Sequence, residues 1–372
     1  MSRRRFTVLV VAALIAISAA LLLSMHRNAG QAPRDTRDAP LFPALPGELA
    51  SIASLQIRKG AATPSVSLQK KGEQWTVAQR DGYPADVTKL RKLLLALSDA
   101  KIIEEKTSDP ANYALIGVDA PTASTAIGTE ITFAAQDGSH SVIVGKPSDD
   151  GNFVRRGQEK ASYLVAPSIY VESEPRYWIE TKLLDIPAAD ISRIDYKPAT
   201  GAPYSVHRIA VTAPAQPEKP AADTDKGFAL DGVPPGRKAA DAQTLAPPPA
   251  VFGSVTAEDV AAAASIDFNK PSTAVITMKD GSSITLSGAV AGDKHWIQVG
   301  APKNEALTAR TAGRAFEIAG YRYDGFFRAL DQLLVPKEPP PKPQSPKPQS
   351  PKAQSPKPAP QAQPATQPAA GP

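Results

Sequence analysis

The longest uninterrupted apolar stretch lies near the N-terminus, where Phe6 to Met25 carries twenty uncharged residues behind Arg3, Arg4 and Arg5. A helix rising about 1.5 Å per residue needs about 20 residues to cross a ~30 Å hydrocarbon core. The pattern therefore predicts one membrane span. A cleaved signal peptide is the alternative, but its apolar stretch is ordinarily ~7–15 residues long, and "SMHRNAGQ" makes a poor cleavage site. The positive-inside rule places the arginine cluster in the cytoplasm and the bulk of the chain outside the membrane, although His26, Arg27, Arg34 and Arg37 follow on the far side.

Beyond the apolar run the periodicity changes. "EITFAAQ" precedes Asp137-Gly138 and "AVITMK" precedes Asp280-Gly281. Asp-Gly between β-formers predicts hairpins with type I′ turns, which need positive φ at both central positions. After the second turn Ile284 and Leu286 alternate with Thr285 and Ser287, the period of a half-buried strand. One stretch reads as a helix instead: Asp86 is an N-cap candidate, followed by an apolar stripe of Val87, Leu90, Leu93, Leu94 and Leu97.

The two hairpin patterns belong to a longer self-similarity. Gly145/Gly288, Asp150/Asp293, Phe153/Trp296 and Val154/Ile297 share the 143-residue offset of the Asp-Gly pairs. Upstream, "ASIASLQIRK" matches "ADISRIDYK" at 139; downstream, "YWIETKLLDIP" matches "FFRALDQLLVP" at 149. In the second copy Pro247, Pro248 and Pro249 break the segment that corresponds to the helix. The predicted fold class is α+β: two tandem duplicated units of antiparallel sheet plus helices, after one N-terminal transmembrane helix. Its predicted parts are residues 1–26 as cytoplasmic stub and anchor, 27–48 as spacer, 49–187 as unit one, 188–336 as unit two, and 337–372 as a disordered tail rich in Pro, Lys and Gln. The tail has no apolar side chain larger than Ala after Pro339, so nothing there offsets the entropy of ordering. It reads as a solubilising tail or, alternatively, as a basic tether for an anionic envelope polymer or a partner.

"EQWTV", "GYPAD", the Leu-rich helix, "YALIGVDAP", "VIVGK", "FVRRGQEKASYLV" and "YWIETKLLDIP" together resemble the bacterial envelope family catalogued as domain of unknown function 4340. The likeness is good over Leu49 to Pro187 and weak over Ala189 to Pro336. It implies a single-pass accessory protein of the inner membrane, with subunits of a gliding-motility-type ABC transporter as candidate partners. It carries no active site.

Composition narrows the chemistry. The net charge of +5 comes from the ends, residues 1–37 and 336–372 contributing +5 and +4 and leaving the middle at −4. A mildly acidic body is a poor profile for nucleic acid. The chain has no cysteine, which excludes a thiol nucleophile and Cys-ligated metals. Neither a phosphate-binding glycine loop nor a Gly-x-Ser-x-Gly elbow occurs, so no cofactor is expected. His140 is flanked by Ser139 and Ser141, but neighbours on a strand face opposite ways. The acidic pairs Glu104-Glu105, Asp149-Asp150 and Glu172/Glu174 lack the spacing of a calcium loop. Phe153, Trp296, Tyr177, Trp178, Phe326 and Phe327 recur at related places in the two copies. Core packing is their default reading, and a partner-binding groove lined by these aromatics is the alternative. The expected function is a non-catalytic scaffold or accessory protein; the alternative is an envelope hydrolase or carbohydrate-active enzyme using a carboxylate pair such as Asp149 and Asp150.

Overall fold

The structure, a computed structural model, describes residues 37–136, 138–209, 227–245, 247–301 and 303–336. Among them the N-terminal half forms β1 (Ser54–Arg58), β2 (Val66–Lys71), β3 (Gln74–Val77), β4 (Tyr83–Pro84), β5 (Lys101–Glu105), β6 (Thr129–Ala135), β7 (Gly138–Ser148), β8 (Gly151–Arg156) and β9 (Ser162–Ala166). β10 (Lys182–Leu184) leads into the second half, which forms β11 (Ile191–Lys197), β12 (Tyr204–Arg208), β13 (Phe228–Asp231), β14 (Val255–Thr256), β15 (Asp259–Ala262), β16 (Ser272–Met278), β17 (Ser283–Ala291), β18 (Lys294–Gly300) and β19 (Arg314–Ile318). The first sheet has the order β4-β3-β2-β1-β6-β7-β8-β9-β5 and the second β13-β12-β11-β16-β17-β18-β19-β15. With β4 set aside, the two orders match strand for strand. The fold is α+β, with antiparallel sheets and few helices.

Local chemistry explains the helical segments. Asp86 Oδ1 accepts from the Thr88 and Lys89 amides at 2.9 and 3.1 Å, starting the Val87–Asp99 helix. Leu90, Leu93, Leu94 and Leu97 of the expected stripe are buried, whereas Val87, in the first turn, is 43% exposed. In the second half Asp241 caps in the same way, accepting from Thr244 N at 2.9 Å. The proline-rich segment after it supports only the short helices Ala242–Leu245 and Pro247–Ala250.

Each half closes through the same return of the chain. Asp86 N donates to Trp178 O and Glu180 N to Pro84 O; Ala240 N donates to Leu333 O and Val335 N to Lys238 O. Trp178 thus corresponds to Leu333, an offset of 155 rather than the 149 of the sequence match, because the Gly320–Phe326 helix occupies part of the later segment.

The hairpins differ from the type I′ expectation. Ala135 pairs with Gly138, with two residues between them in sequence, whereas Thr277 pairs with Ser283 and Met278 N bonds to Ser282 O around Lys279, Asp280 and Gly281. The second is a three-residue loop with Gly281 at φ 77°, the bulged type. This one-residue difference shifts β7 against β17: Ile131 faces Val142 while Ala274 faces Leu286, an offset of 144. A register irregularity in β7 between Val144 and Pro147 restores 143 at Val154 and Ile297. Gly145 and Gly288 are therefore not equivalent. Gly145 lies beneath the Ile116–Gly117 backbone, while Gly288, paired at the position of Val144, lies under the Phe327 ring. A slip of one residue changes the face of the sheet.

One continuous hydrophobic cluster includes residues of both sheets. The seam is bonded as well as packed: β10 pairs with β14, Arg310 donates to Leu183 O at 2.6 Å, and Arg80 Nη2 lies 2.8 Å from Asp259 Oδ2. Part of the expected spacer also belongs to the fold. Residues 38–41 bond to β5, with Leu41 N donating to Ala100 O at 2.7 Å, and Leu41, Phe42 and Leu45 are buried. Of the prolines here, Pro40 forms a bridge to Lys101 at the sheet edge, while Pro46 sits in the first turn of the short Leu45–Glu48 helix. Among the described residues no helix is long and apolar enough to cross a membrane; the candidate span Phe6–Met25 and the tail 337–372 lie outside them.

Candidate functional site

A cleft of about 630 Å³ opens between the Leu41–Glu48 segment and the β6–β7 hairpin. Its aromatic floor is built from strand pairing and the edge segment. Phe133 and His140 are cross-strand partners with stacked rings, centroids 5.4 Å apart, and Phe42 meets Phe133 edge-on at 5.3 Å. Arg156 spans one wall, donating to Glu159 Oε2 at 2.9 Å and to Leu41 O at 3.1 Å. Glu130 is held by Arg58 through both Nε and Nη2. Glu48 Oε2 is buried without a hydrogen-bond partner. The cleft thus offers an apolar floor, one unpaired carboxylate oxygen and two pre-formed ion pairs. This is a set for orienting a bound group. Ser141 pairs with Thr132 on the face opposite to His140.

The six aromatics are not gathered into one surface. Trp178 and Phe326 are buried in the core, Trp178 Nε1 donating to Glu172 O at 2.8 Å and Phe326 stacking on Phe252. Trp296 is buried on β18, so these three rings present no free face to a partner. Phe327 is half-buried over Gly288. Tyr177 is half-buried between Trp178 and the Lys89 ammonium, which lies 4.6 Å from its ring centre. Phe153 packs on a satellite cluster of Tyr113, Val118 and Ile143, separate from the main core. Sequence matching brought these rings together because core positions repeat as faithfully as binding positions.

The acidic pairs scatter likewise. Asp149 and Asp150 are the two loop residues between β7 and β8 and do not line the cleft. Glu104 pairs with Lys106 while Glu105 accepts from Ser108. Glu172 Oε1 turns back to accept from its own neighbour Ser173 N at 2.8 Å. Among the described residues no group of three His, Asp or Glu side chains is placed to hold a metal ion.

A polar network on the second sheet was not foreseen. Arg193 donates to Asp195 at 2.7 Å, to Ser205 at 2.6 Å and to Asp231 at 3.3 Å. His207 Nδ1 lies 3.0 Å from Asp231 Oδ2, which also accepts from Ser205 at 3.2 Å. Its aspartate stands between serine and histidine, whereas activation of a serine needs the imidazole in the middle. The Asp195 carboxylate holds the Arg193 pKa above its ordinary value. Alternation of polar residues on β11 and β12 was the available signal; β13 was hidden behind the intervening Pro/Ala-rich stretch.

The family model described as domain of unknown function (DUF4340) matches residues 75–230. That span runs from Trp75 in β3 to Leu230 in β13, crossing from the first sheet into the second. No curated protein and no solved structure matches the chain.

Proposed function

We propose that this chain, which carries the domain of unknown function 4340 over residues 75–230, is a non-catalytic accessory or scaffold protein of the cell envelope. In this reading Phe6–Met25 anchors it once in the inner membrane, and the bulk of the chain is extracytoplasmic. Two tandem duplicated units form its body, and subunits of an ABC transporter are the candidate partners. The reading rests above all on the repeated strand order across one shared core. A joined core favours a rigid platform over two domains hinged about a reaction site. The arrangement of side chains in the cleft supports the same reading.

Topology is tested by labelling a Ser350→Cys variant with a membrane-impermeant reagent in intact spheroplasts. Labelling is expected without lysis; labelling only after lysis refutes the extracytoplasmic placement. Affinity purification after mild crosslinking, beside an Asp149→Asn/Asp150→Asn variant, tests the role. Recovery of transporter subunits with a normally functioning variant supports the scaffold. A folded but null variant without stable partners replaces it with an enzyme.

A further inference from the structure

The Val87–Asp99 helix carries more apolar surface than the core consumes. Leu90 and Leu94 face inward and, with Ile52 and Trp75, form the floor of a separate groove of about 350 Å³. Val87 and Leu95 stand on its outer wall, 43% and 44% exposed, two turns apart with Arg91 between them on the same face. Leu49 and Ala50 form the opposite wall. The only charged residues in the lining are Lys70 and Arg91. Lys70 reaches Glu73, itself fully exposed, only at 4.0 Å, and Arg91 makes no ion pair among the described residues.

An apolar trough with two cations on its rim and no acid is complementary to an anionic amphiphile. The geometry points to a site for one acyl chain of an anionic phospholipid, with its headgroup between Lys70 and Arg91. The bilayer is the source, which rests on the anchoring proposed above. Only residues 26–36 separate the apolar run from the first described residue, and at ~3.6 Å per residue they span at most about 40 Å. The groove wall at Leu49 and Ala50 comes twelve residues further along the chain. Binding there lays the first sheet against the membrane surface and orients the rest of the molecule away from it.

The absence of cysteine permits a single reporter. The full chain bearing Leu95→Cys, labelled with a bimane fluorophore, is reconstituted into vesicles of phosphatidylcholine with phosphatidylglycerol whose acyl chains are brominated. Tyr321→Cys, at a 74% exposed site in the second half, is the reference. Quenching several-fold stronger at position 95 is expected. Lys70→Glu/Arg91→Glu should lower it several-fold while flotation with the vesicles is unchanged. Equal quenching at the two positions, insensitivity to the charge reversal, or equal quenching by brominated phosphatidylcholine alone overturns the site. A lipid-independent, concentration-dependent shift of the position-95 emission in detergent overturns it in favour of a second copy of the chain. Flotation without quenching refutes the groove and leaves the anchor standing. Failure to float refutes the anchor, and with it the bilayer as the source.

Discussion

Where the first sheet pairs Ile57 with Val66, the second pairs Tyr196 with Tyr204, whose rings stack with centroids 4.7 Å apart. Where the first places Val144, the second places Gly288, and Phe327 lies in the space a side chain would occupy. Both halves keep the same strand order while filling their interiors differently. A strand order is set by backbone pairing and the alternation of apolar positions; core volume is settled afterwards, by whichever rings and gaps complement one another. The seam has no counterpart within either half and holds a largely buried, doubly hydrogen-bonded ion pair between Arg80 and Asp259.

The seam should therefore give the largest effect. Arg80 and Asp259 retain 20% and 14% side-chain exposure and make two hydrogen bonds, Nε to Oδ1 at 2.5 Å and Nη2 to Oδ2 at 2.8 Å. Arg80→Ala leaves the carboxylate poorly solvated, costing about 2–4 kcal/mol. Chemical denaturation should show a lower midpoint, and two separable transitions if the seam alone couples the halves. Loss under 1 kcal/mol would mean that the shared apolar core carries the coupling.

Gly288→Val asks whether the two interiors are interchangeable. A Cβ at Gly288 overlaps the Phe327 ring, and overpacking of this kind costs about 1–3 kcal/mol. In a Phe327→Ala background the added valine should cost less or become favourable, since it restores the arrangement around Val144. Equal costs in both backgrounds would break the proposed equivalence of these positions. Stability from denaturant titration of the four proteins decides it.

The tyrosine pair predicts a pH dependence that the Ile57–Val66 pair lacks. Burial, the main cause for both, holds the Tyr196 and Tyr204 hydroxyls protonated well above the ordinary tyrosine range. Unfolded tyrosines ionise near pH ~10. The unfolded chain releases these protons first, so the stabilisation is complete below about pH 10 and declines as pH rises beyond it. Tyr204 donates to Arg328 O, whereas the Tyr196 hydroxyl is buried without a partner. Tyr196→Phe should accordingly be neutral or stabilising by up to about 1 kcal/mol at pH 7 and should make the alkaline decline shallower. Tyr83, at the seam, is raised in the same direction by burial, so part of the decline will persist. An unchanged slope would exclude the pair as its source.

The same contrast explains how much could be read in advance. The hairpins, the Asp86-capped helix and the ordered matches at 139 and 143 were legible because capping, turn chemistry and alternation act over a few residues. The shift between β7 and β17 was not, because a shorter loop and a local irregularity cancel within eighteen residues and leave the sequence offset intact. Residues 38–48 were misread because proline content was weighed above the three apolar side chains that bury there. The cleft joins that segment to the distant β6–β7 hairpin, and the lipid groove joins the turn at Leu49 and Ala50 to a helix some forty residues on. Local pattern carries little information about such meetings. The rings at Trp178, Phe326 and Trp296 repeated clearly but for packing, which periodicity alone does not distinguish from binding.

The smallest predicted effect tests the origin of that shift. Gly281 closes the three-residue loop at φ 77° with no atom within 4 Å of a Cβ placed there, so a substitution meets backbone preference alone. The left-handed region costs an ordinary L-residue about 1 kcal/mol or slightly more relative to glycine, and less for asparagine, whose short amide side chain tolerates it. Gly281→Ala should therefore lose about 1 kcal/mol and Gly281→Asn a few tenths, both by denaturant titration. Asp280 sharpens the reading: Ser282 donates to it through Oγ and N at 2.6 and 2.8 Å, and these bonds, the side-chain one foremost, hold its carboxyl pKa below the ordinary value. The carboxylate arrangement that braces the loop is complete above the ordinary aspartate range and weakens as pH falls through the lowered value. If the loop holds β17 in its register, Gly281→Ala should also raise amide exchange at Ile284 and Leu286 above that at Val142 and Val144. Uniform exchange across both sheets would place the control of register in the strands themselves.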